Sequence, residues 1–383
     1  MPEATIIMAG GSGTRLWPAS LRSHPKQLLR IGSAYSLIQQ AILRAAAASD
    51  GPIVIVTNRD HVEPIAHHAA ELSERTLGGL QKRLVYLPEP LGKNTAPAIA
   101  LGMVYLESVL SGTSSVLVLT ADHLIEPVDA FVSDARRASM LAAAGHLVCF
   151  GIPPHRPETG YGYIEAGTPL DGGRVISAFK EKPDAETAAA YLAAGNYFWN
   201  AGMFAFAIAT FWDELATAAP EVANAFRGLT KQLDLSTRPD GASEVDSERL
   251  RPAYEAVPQI SIDYALMERS SKGAVVPASF RWSDVGSWDE AAGISEQAMA
   301  AGGAEPPGNA QSTGRAAGRI DPIVIEASGV HVHSELPVAV CGVSDIHVVV
   351  QNGKVLVCKR GESQLVKQAV EEAERREDSS YLA

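Results

Sequence analysis

The residues best suited to chemistry appear first in A-G-G-S-G-T-R-L, Ala9–Leu16. Gly10, Gly11 and Gly13 let the backbone turn tightly and present consecutive N–H groups to an anion. Arg15 in the same run and Lys26, in P-K-Q, add two cations within reach of one polyphosphate. Arginine clamps phosphate oxygens bidentately; lysine acts as a point charge. Neither common phosphate loop fits. A dinucleotide-binding Rossmann loop needs a glycine where Leu16 stands, and a Walker A loop needs G-K-[ST]. The stretch reads as a glycine-rich phosphate loop of another type.

Carboxylates follow. Asp122 lies just past the apolar run Val116–Thr120, at the carboxyl end of a strand, where ligands of open α/β sheets bind. Asp284 sits in W-S-D-V-G-S-W beside a glycine that permits close backbone approach. Glu181 and Lys182, in F-K-E-K-P, read as adjacent strand positions and are expected to face opposite sides. His331 and His333 alternate on a strand, but no third metal ligand is evident. His67-His68 reads as helix surface, and E-E-A-E-R-R-E-D as a solvated helix end.

The elements that must position these residues alternate. Short runs rich in Val, Ile and Leu predict strands at Thr5–Met8, Ile53–Thr57, Leu84–Leu87, Val116–Thr120 and Leu147–Gly151. Helical patterns separate them at Ser36–Ala48, His61–Leu72, Thr95–Leu110 and Val128–Ala144. This is a doubly wound, Rossmann-like α/β sheet. Ser36 and Asn94 stand where N-caps belong, and Asp184 caps Ala185–Ala194 with Gly195 as its stop. From about Tyr161 strands come at irregular spacing, as in a second lobe or long insertions on a mixed sheet. The catalytic domain is expected over 1–298 and a Gly/Pro/Ala/Ser-rich linker over 299–318. A small all-β appendage, with several short β runs and a charged helix at Ser363–Glu377, would occupy 319–383. No clean fixed-length repeat is visible, although a solenoid turn or two would fit the β runs.

The 383 residues are 46% apolar and 20% charged, an ordinary globular composition that excludes disorder, collagen and a disulfide-stapled miniprotein. Net charge is −12, so nucleic-acid backbones and anionic membranes are not expected partners. A phosphate ligand must be held by a few placed cations. Cys149, Cys341 and Cys358 are odd in number and widely spaced, which suggests unpaired thiols in a reducing, cytoplasmic compartment. The start M-P-E-A-T, with an acid and no basic region ahead of its apolar run, is not expected to act as a signal peptide. Thr187–Trp212 lacks charge over a membrane-spanning length, but Gly195, Asn196, Asn200 and Gly202 break it into helix, turn and strand.

With these motifs in view, the chain resembles the sugar-1-phosphate nucleotidylyltransferases, through G-G-S-G-T-R-L-W-P followed by P-K-Q-L-L. Later motifs narrow the resemblance to mannose-1-phosphate guanylyltransferases. They are E-P-L-G-K-N-T-A-P-A-I-A (Glu89–Ala100), A-D-H (Ala121–His123), P-E-T-G-Y-G-Y-I (Pro157–Ile164) and F-K-E-K-P (Phe179–Pro183). W-N-A-G-M-F (Trp199–Phe204), S-I-D-Y-A-L-M-E (Ser261–Glu268) and W-S-D-V-G-S-W (Trp282–Trp288) complete an ordered set over essentially the whole chain.

The resemblance implies a nucleotide-diphospho-sugar transferase fold with a left-handed β-helix-like C-terminal piece that contributes to a homodimer. It implies transfer of GMP from GTP to mannose 1-phosphate, giving GDP-mannose and pyrophosphate with Mg²⁺ as cofactor. Arg15 and Lys26 would be the catalytic cations, and Asp122 and Asp284 the metal ligands. Ala9, Gly10, Gly11, Ser12, Gly13 and Thr14 would hold the nucleotide phosphates; Glu89, Gly92, Asn94 and Thr95 would hold the base. Gly160, Glu181, Lys182, Asn200 and Gly202 would hold the sugar phosphate. The same chemistry on a heptose or fucose 1-phosphate, or with another nucleoside triphosphate, fits the motifs too. A catalytically silent relative is expected to have lost a cation or carboxylate, yet all four are present. His24, Lys93, Thr120 and Lys180 depart from the family pattern. The chain is expected to lack the fused isomerase domain of some relatives, and so to be monofunctional.

Overall fold

The computed structural model describes residues 1–11, 13–75, 79–229, 233–300, 321–376 and 378–382. Ser12 and residues 301–318 of the expected linker lie outside the described residues; Met299 and Ala300 end a helix. In chain order the elements begin β1 (Ala4–Ala9), α1 (Leu37–Ala48), β2 (Ile53–Asn58), α2 (Val62–Arg75), β3 (Leu84–Glu89) and α3 (Thr95–Val109). Next come β4 (Ser115–Thr120), β5 (Leu124–Glu126), α4 (Val128–Ala143), β6 (Leu147–Ile152), β7 (Tyr163–Leu170) and β8 (Gly173–Lys180). They continue with α5 (Ala185–Ala194), β9 (Tyr197–Ala207), α6 (Ile208–Ala218), α7 (Pro220–Phe226), β10 (Leu235–Thr237) and β11 (Ser243–Val245). Then follow α8 (Arg251–Ala256), β12 (Gly273–Pro277), β13 (Arg281–Ser283), α9 (Trp288–Ala300), β14 (Ile323–Ile325) and β15 (His331–Ser334). The chain closes with β16 (Ala339–Cys341), β17 (Ile346–Gln351), β18 (Lys354–Lys359), α10 (Leu365–Arg375) and α11 (Ser379–Leu382).

The chain divides into two compact units. The first comprises Met1–Gly10, Ala41–Ala121 and Ile125–Trp282, and the second Gly11–Gln40, Asp122–Leu124 and Ser283–Ala383. The first unit is built on a mixed sheet of order β10-β11-β3-β2-β1-β4-β9-β6-β12-β8-β7. β3, β2, β1 and β4 are parallel, and β9 runs antiparallel between β4 and β6. Almost every residue of β1, β2 and β4 is buried, as strands covered on both faces require. Helix α3 is buried continuously from Ala96 to Leu106, because it lies in the main apolar cluster with Val54, Val118 and Phe204. Strand order reverses between β1 and β4, whose residues Met8 and Thr120 are register partners. That switch point is where open α/β sheets place ligands. The uncharged stretch expected to break into helix, turn and strand does so as α5, Gly195 and β9. Asp184 caps α5 through Thr187 N–H at 2.8 Å. Among the described residues no helix is long and apolar enough to cross a membrane. None of the three cysteines forms a disulfide.

The second unit has its own apolar cluster, with Leu16, Trp17, Val285, Trp288, Val349 and Val370 among its members. Its β runs form a short parallel coil. β14 pairs with β16 and β15 with β17, joining Ile323 to Ala339 and His331 to His347. The side chains of Ser328 and Ser344, 16 residues apart, also bond to each other. The spacing is 16 in each case, so a repeat hidden in the sequence is set by stacked backbone turns. β18 then returns antiparallel on β17.

Candidate active site

In the second unit the glycine-rich loop leads into a short 3₁₀ turn, Thr14–Leu16. Gly13 starts it at φ 63°, and a Cβ there would collide with the Lys26 Cβ, so only glycine fits. The Ser20 hydroxyl donates to the Gly13 carbonyl at 2.6 Å and fixes the turn. Lys26 is held almost wholly inside the protein. Its ammonium donates to Asp122 Oδ2 at 2.8 Å and to the backbone carbonyl of Asp284. One side chain therefore touches the Asp122 carboxylate and the Asp284 main chain, at residues 96 and 258 positions away in sequence. Surrounding protein would push the Asp122 carboxyl up, but the Lys26 ammonium and then His123 outweigh that and hold it at about 2. Asp122 is thus ionised at neutral pH.

Asp284 is placed by an unusual turn. Val285 adopts φ 46°, and its N–H donates to Ser283 Oγ at 3.0 Å. The Gly286 N–H donates to Glu290 Oε2 at 2.6 Å. A Cβ on Gly286 would lie 3.0 and 3.2 Å from the Asp284 carboxylate oxygens and 3.3 Å from Arg15 Nη1. The missing side chain leaves one space to the Asp284 carboxylate and the Arg15 guanidinium. Arg15, Lys26, Asp122 and Asp284 are therefore one cluster.

In the first unit, the β3 end and the start of α3 carry the expected base-reading residues. Glu89 accepts from the Tyr254 hydroxyl at 3.2 Å, and a Cβ on Gly10 would stand 3.2 Å from its other oxygen. Burial pushes the Glu89 carboxyl up to about 7, against a smaller downward pull from Tyr254. The Ala9 carbonyl accepts from Thr57 Oγ1 at 2.9 Å. Nothing stands within 4 Å of a Cβ placed on Gly92. Asn94, at φ 72°, caps α3 by accepting from Thr95 N–H at 2.8 Å. Thr95 Oγ1 accepts from the Ile262 N–H at 2.8 Å, and Lys93 donates to the Val257 carbonyl at 2.9 Å. The lysine at this position thus braces the loop on its own backbone.

The expected sugar residues also gather in the first unit. The Asn200 N–H donates to the Gly162 carbonyl at 2.8 Å, and a Cβ on Gly162 would collide with Glu181 Oε2. Gly160 donates to Glu158 Oε1 at 3.0 Å. Between Cys149 and Gly151 the register with β9 moves from Phe204 to Asn200, so two steps on β6 match four on β9. That bulge contains Gly202, at φ 64°, and re-aims Asn200. Asn200 Nδ2 donates to Asp263 Oδ1 at 2.8 Å, and Gly202 N–H donates to Asn200 Oδ1 at 3.1 Å. The expectation that Glu181 and Lys182 face opposite sides is wrong. β8 ends at Lys180, and Lys182 takes φ 46°, which turns its ammonium back to Glu181 Oε1 at 2.6 Å. Sequence reasoning gave Asp263 no role; its only signal was membership of S-I-D-Y. Tyr254 carried no signal at all. The two histidines on β15 do not build a metal centre: among the described residues no three His, Cys, Asp or Glu gather to hold an ion.

A glycine-rich loop that follows β1 in the chain, and two acidic residues gathered on one buried lysine, are the marks of a nucleotidyltransferase-type α/β protein. Residues 4–300 match the nucleotidyl transferase family, and the chain belongs to it. Over 374 residues it is 38% identical to the mannose-1-phosphate guanylyltransferase of Escherichia coli strain K12, covering 96% of this chain and 72% of that one. It is 37% identical over 367 residues to the xanthan biosynthesis protein XanB of Xanthomonas campestris pv. campestris, covering 95% and 72%. The crystal structure of a Thermus thermophilus protein described as a mannose-1-phosphate geranyltransferase matches with TM-score 0.76 at 28% identity, covering 98% of this chain and 100% of that chain. The resemblance drawn from the ordered motifs is borne out, as is the mixed α/β fold with an all-β C-terminal piece. The family works on nucleotides and sugar phosphates and generally uses a divalent metal.

Proposed function

We propose that this protein transfers GMP from GTP to mannose 1-phosphate, forming GDP-mannose and releasing pyrophosphate. The observation that carries the reading is the contact of Lys26 with both Asp122 and Asp284, beside Arg15. The names of the relatives support the choice of substrates. An oxygen of the sugar phosphate attacks the α-phosphorus in line. A new P–O bond forms, the bond to the β-phosphate breaks, and pyrophosphate leaves with the electron pair. The nucleophile is already an anion, so catalysis is positioning plus charge neutralisation, with no general base.

Ala9, Gly10, Gly11, Ser12, Gly13 and Thr14 are assigned to the nucleotide phosphates by the motif they form in the sequence. Arg15 and Lys26 neutralise charge that develops in the transition state. The donor set fits a hard divalent cation such as Mg²⁺: both acids offer only oxygens, and Asp122 is ionised. Asp122 and Asp284 would hold it, leaving the rest of its shell to phosphates and water. When bound, the ion neutralises phosphate charge. In the first unit, Glu89, Gly92, Asn94 and Thr95 read the base. Gly160, Glu181, Lys182, Asn200 and Gly202 hold the sugar phosphate through a carboxylate, an amide and backbone groups suited to a polyol. The transferase domain runs to the end of α9 at Ala300, two residues past the expected boundary. Residues 301–318 keep the reading of a linker from composition alone, and the remainder is an appendage that serves a cytoplasmic homodimer.

A matrix of sugar 1-phosphates and nucleoside triphosphates, followed by pyrophosphate release and product mass, tests this. The highest kcat/KM is expected for mannose 1-phosphate with GTP. A tenfold preference for another pair, or no turnover of any, refutes it.

A further inference from the structure

We infer that Asp263 is a positioning residue that locks the Asn200 amide in one of its two orientations, and so decides which pattern of sugar hydroxyls is accepted. The inference rests on the reading of Asn200 as part of the sugar site. A side-chain amide has donors at one end and an acceptor at the other, and turning it over inverts what it recognises with almost no change of shape. Two bonds demand the same orientation here. Asn200 Nδ2 donates to Asp263 Oδ1 at 2.8 Å, and its Oδ1 accepts from Gly202 N–H at 3.1 Å. Gly202 reaches back only because it sits at φ 64° in the β9 bulge.

Asp263 is itself fixed from another side. Its neighbour Ile262 is tied by its N–H to Thr95 Oγ1 at 2.8 Å. Asp263 opens a five-residue π-type turn, Asp263–Met267, a wide geometry that is rare and concentrates at functional sites. The charges facing the carboxylate are Glu181 and Lys182, from the same sugar set. Hexose 1-phosphates that differ at one carbon carry identical polar groups pointing in different directions. Selecting among them requires a donor and an acceptor of fixed direction, not more charge.

The test compares Asp263→Ala, which removes the acceptor, with Asp263→Asn, whose carbonyl can still accept from Asn200. Steady-state kinetics are measured with mannose 1-phosphate, glucose 1-phosphate and GTP. D263A is expected to raise the sugar KM about tenfold and lower the preference for mannose over glucose about tenfold, with KM for GTP unchanged within about twofold. D263N keeps the wild-type preference. Wild-type discrimination in D263A, equal losses in D263A and D263N, or parallel rises of both KM values each overturn the inference. Should D263A not fold, Asn200→Ala takes its place: it must lose the preference that D263N keeps, and equal preference in the two overturns the inference. A wild-type protein with no preference among hexose 1-phosphates overturns the functional reading and this inference together. Discrimination in the wild type matched by D263A overturns the inference alone.

Discussion

Lys26→Met removes the ammonium that touches the Asp122 carboxylate and the Asp284 main chain while keeping most of the stem. The Lys26 side chain is 6% exposed and that of Asp122 37%. A carboxyl held at about 2 instead of 3.8 would contribute roughly 2.5 kcal/mol if wholly buried. Water reaches Asp122, so screening reduces that to about 1–1.5 kcal/mol. Losing the bond to the Asp284 carbonyl adds roughly 1 kcal/mol. K26M is therefore expected to lose about 2–2.5 kcal/mol of unfolding free energy at pH 7, read by urea titration. The sign with pH follows from the direction of the shift. The folded carboxyl lies below its unfolded value, so its contribution is complete above about pH 4 and is lost as pH falls through 2. The stability gap between wild type and K26M should narrow over that interval. In pyrophosphate release, kcat/KM should fall roughly a hundred- to thousandfold. Without the ammonium, burial is opposed only by the weaker pull of His123 and a backbone hydrogen bond, so the Asp122 carboxyl and with it the acid limb of the rate profile should move up. A variant with wild-type turnover, an unmoved acid limb and a stability gap independent of pH would refute the reasoning.

Asp284→Ala should abolish the response to Mg²⁺; normal saturation of its rate with Mg²⁺ would remove Asp284 from the metal site. Glu89 is raised to about 7 by burial, so its charge opposes folding, and wild-type stability should decline as pH rises from 4.5 through 7. Glu89→Gln should accordingly be about 1–2 kcal/mol more stable than wild type at pH 8 and equal to it at pH 4, measured by urea unfolding. Gly13→Ala combines a left-handed φ with a collision at Lys26, and should cost about 2–4 kcal/mol; a loss under about 1 kcal/mol would mean that the loop relaxes without harm.

The parallel strands were legible because Val, Ile and Leu runs buried on both faces leave a continuous apolar signature, as in I-V-I-V-T and S-V-L-V-L-T. Caps were legible for the same local reason: Asp184 and Asn94 bond to amides one to three residues on. The glycine-rich loop could be read as anion-binding, since backbone freedom belongs to the residue type. The pairing of Glu181 with Lys182 could not, because a period-two strand reading has no place for a lysine at φ 46°. The 16-residue coil was hidden because its turns repeat in backbone path while the residues that fill them differ.

The types of chemical group available were therefore settled by the chain alone: two cations near a glycine-rich loop, two acids, an amide and a further carboxylate. Which of them meet was decided by folding. Lys26 reaches the Asp122 carboxylate and the Asp284 main chain, 96 and 258 positions away, and Asn200 finds Asp263 across 63 residues. Such contacts depend on strand order, a bulge and the turn at Val285, and those arise from packing the whole sheet and its loops, which no local stretch of sequence encodes.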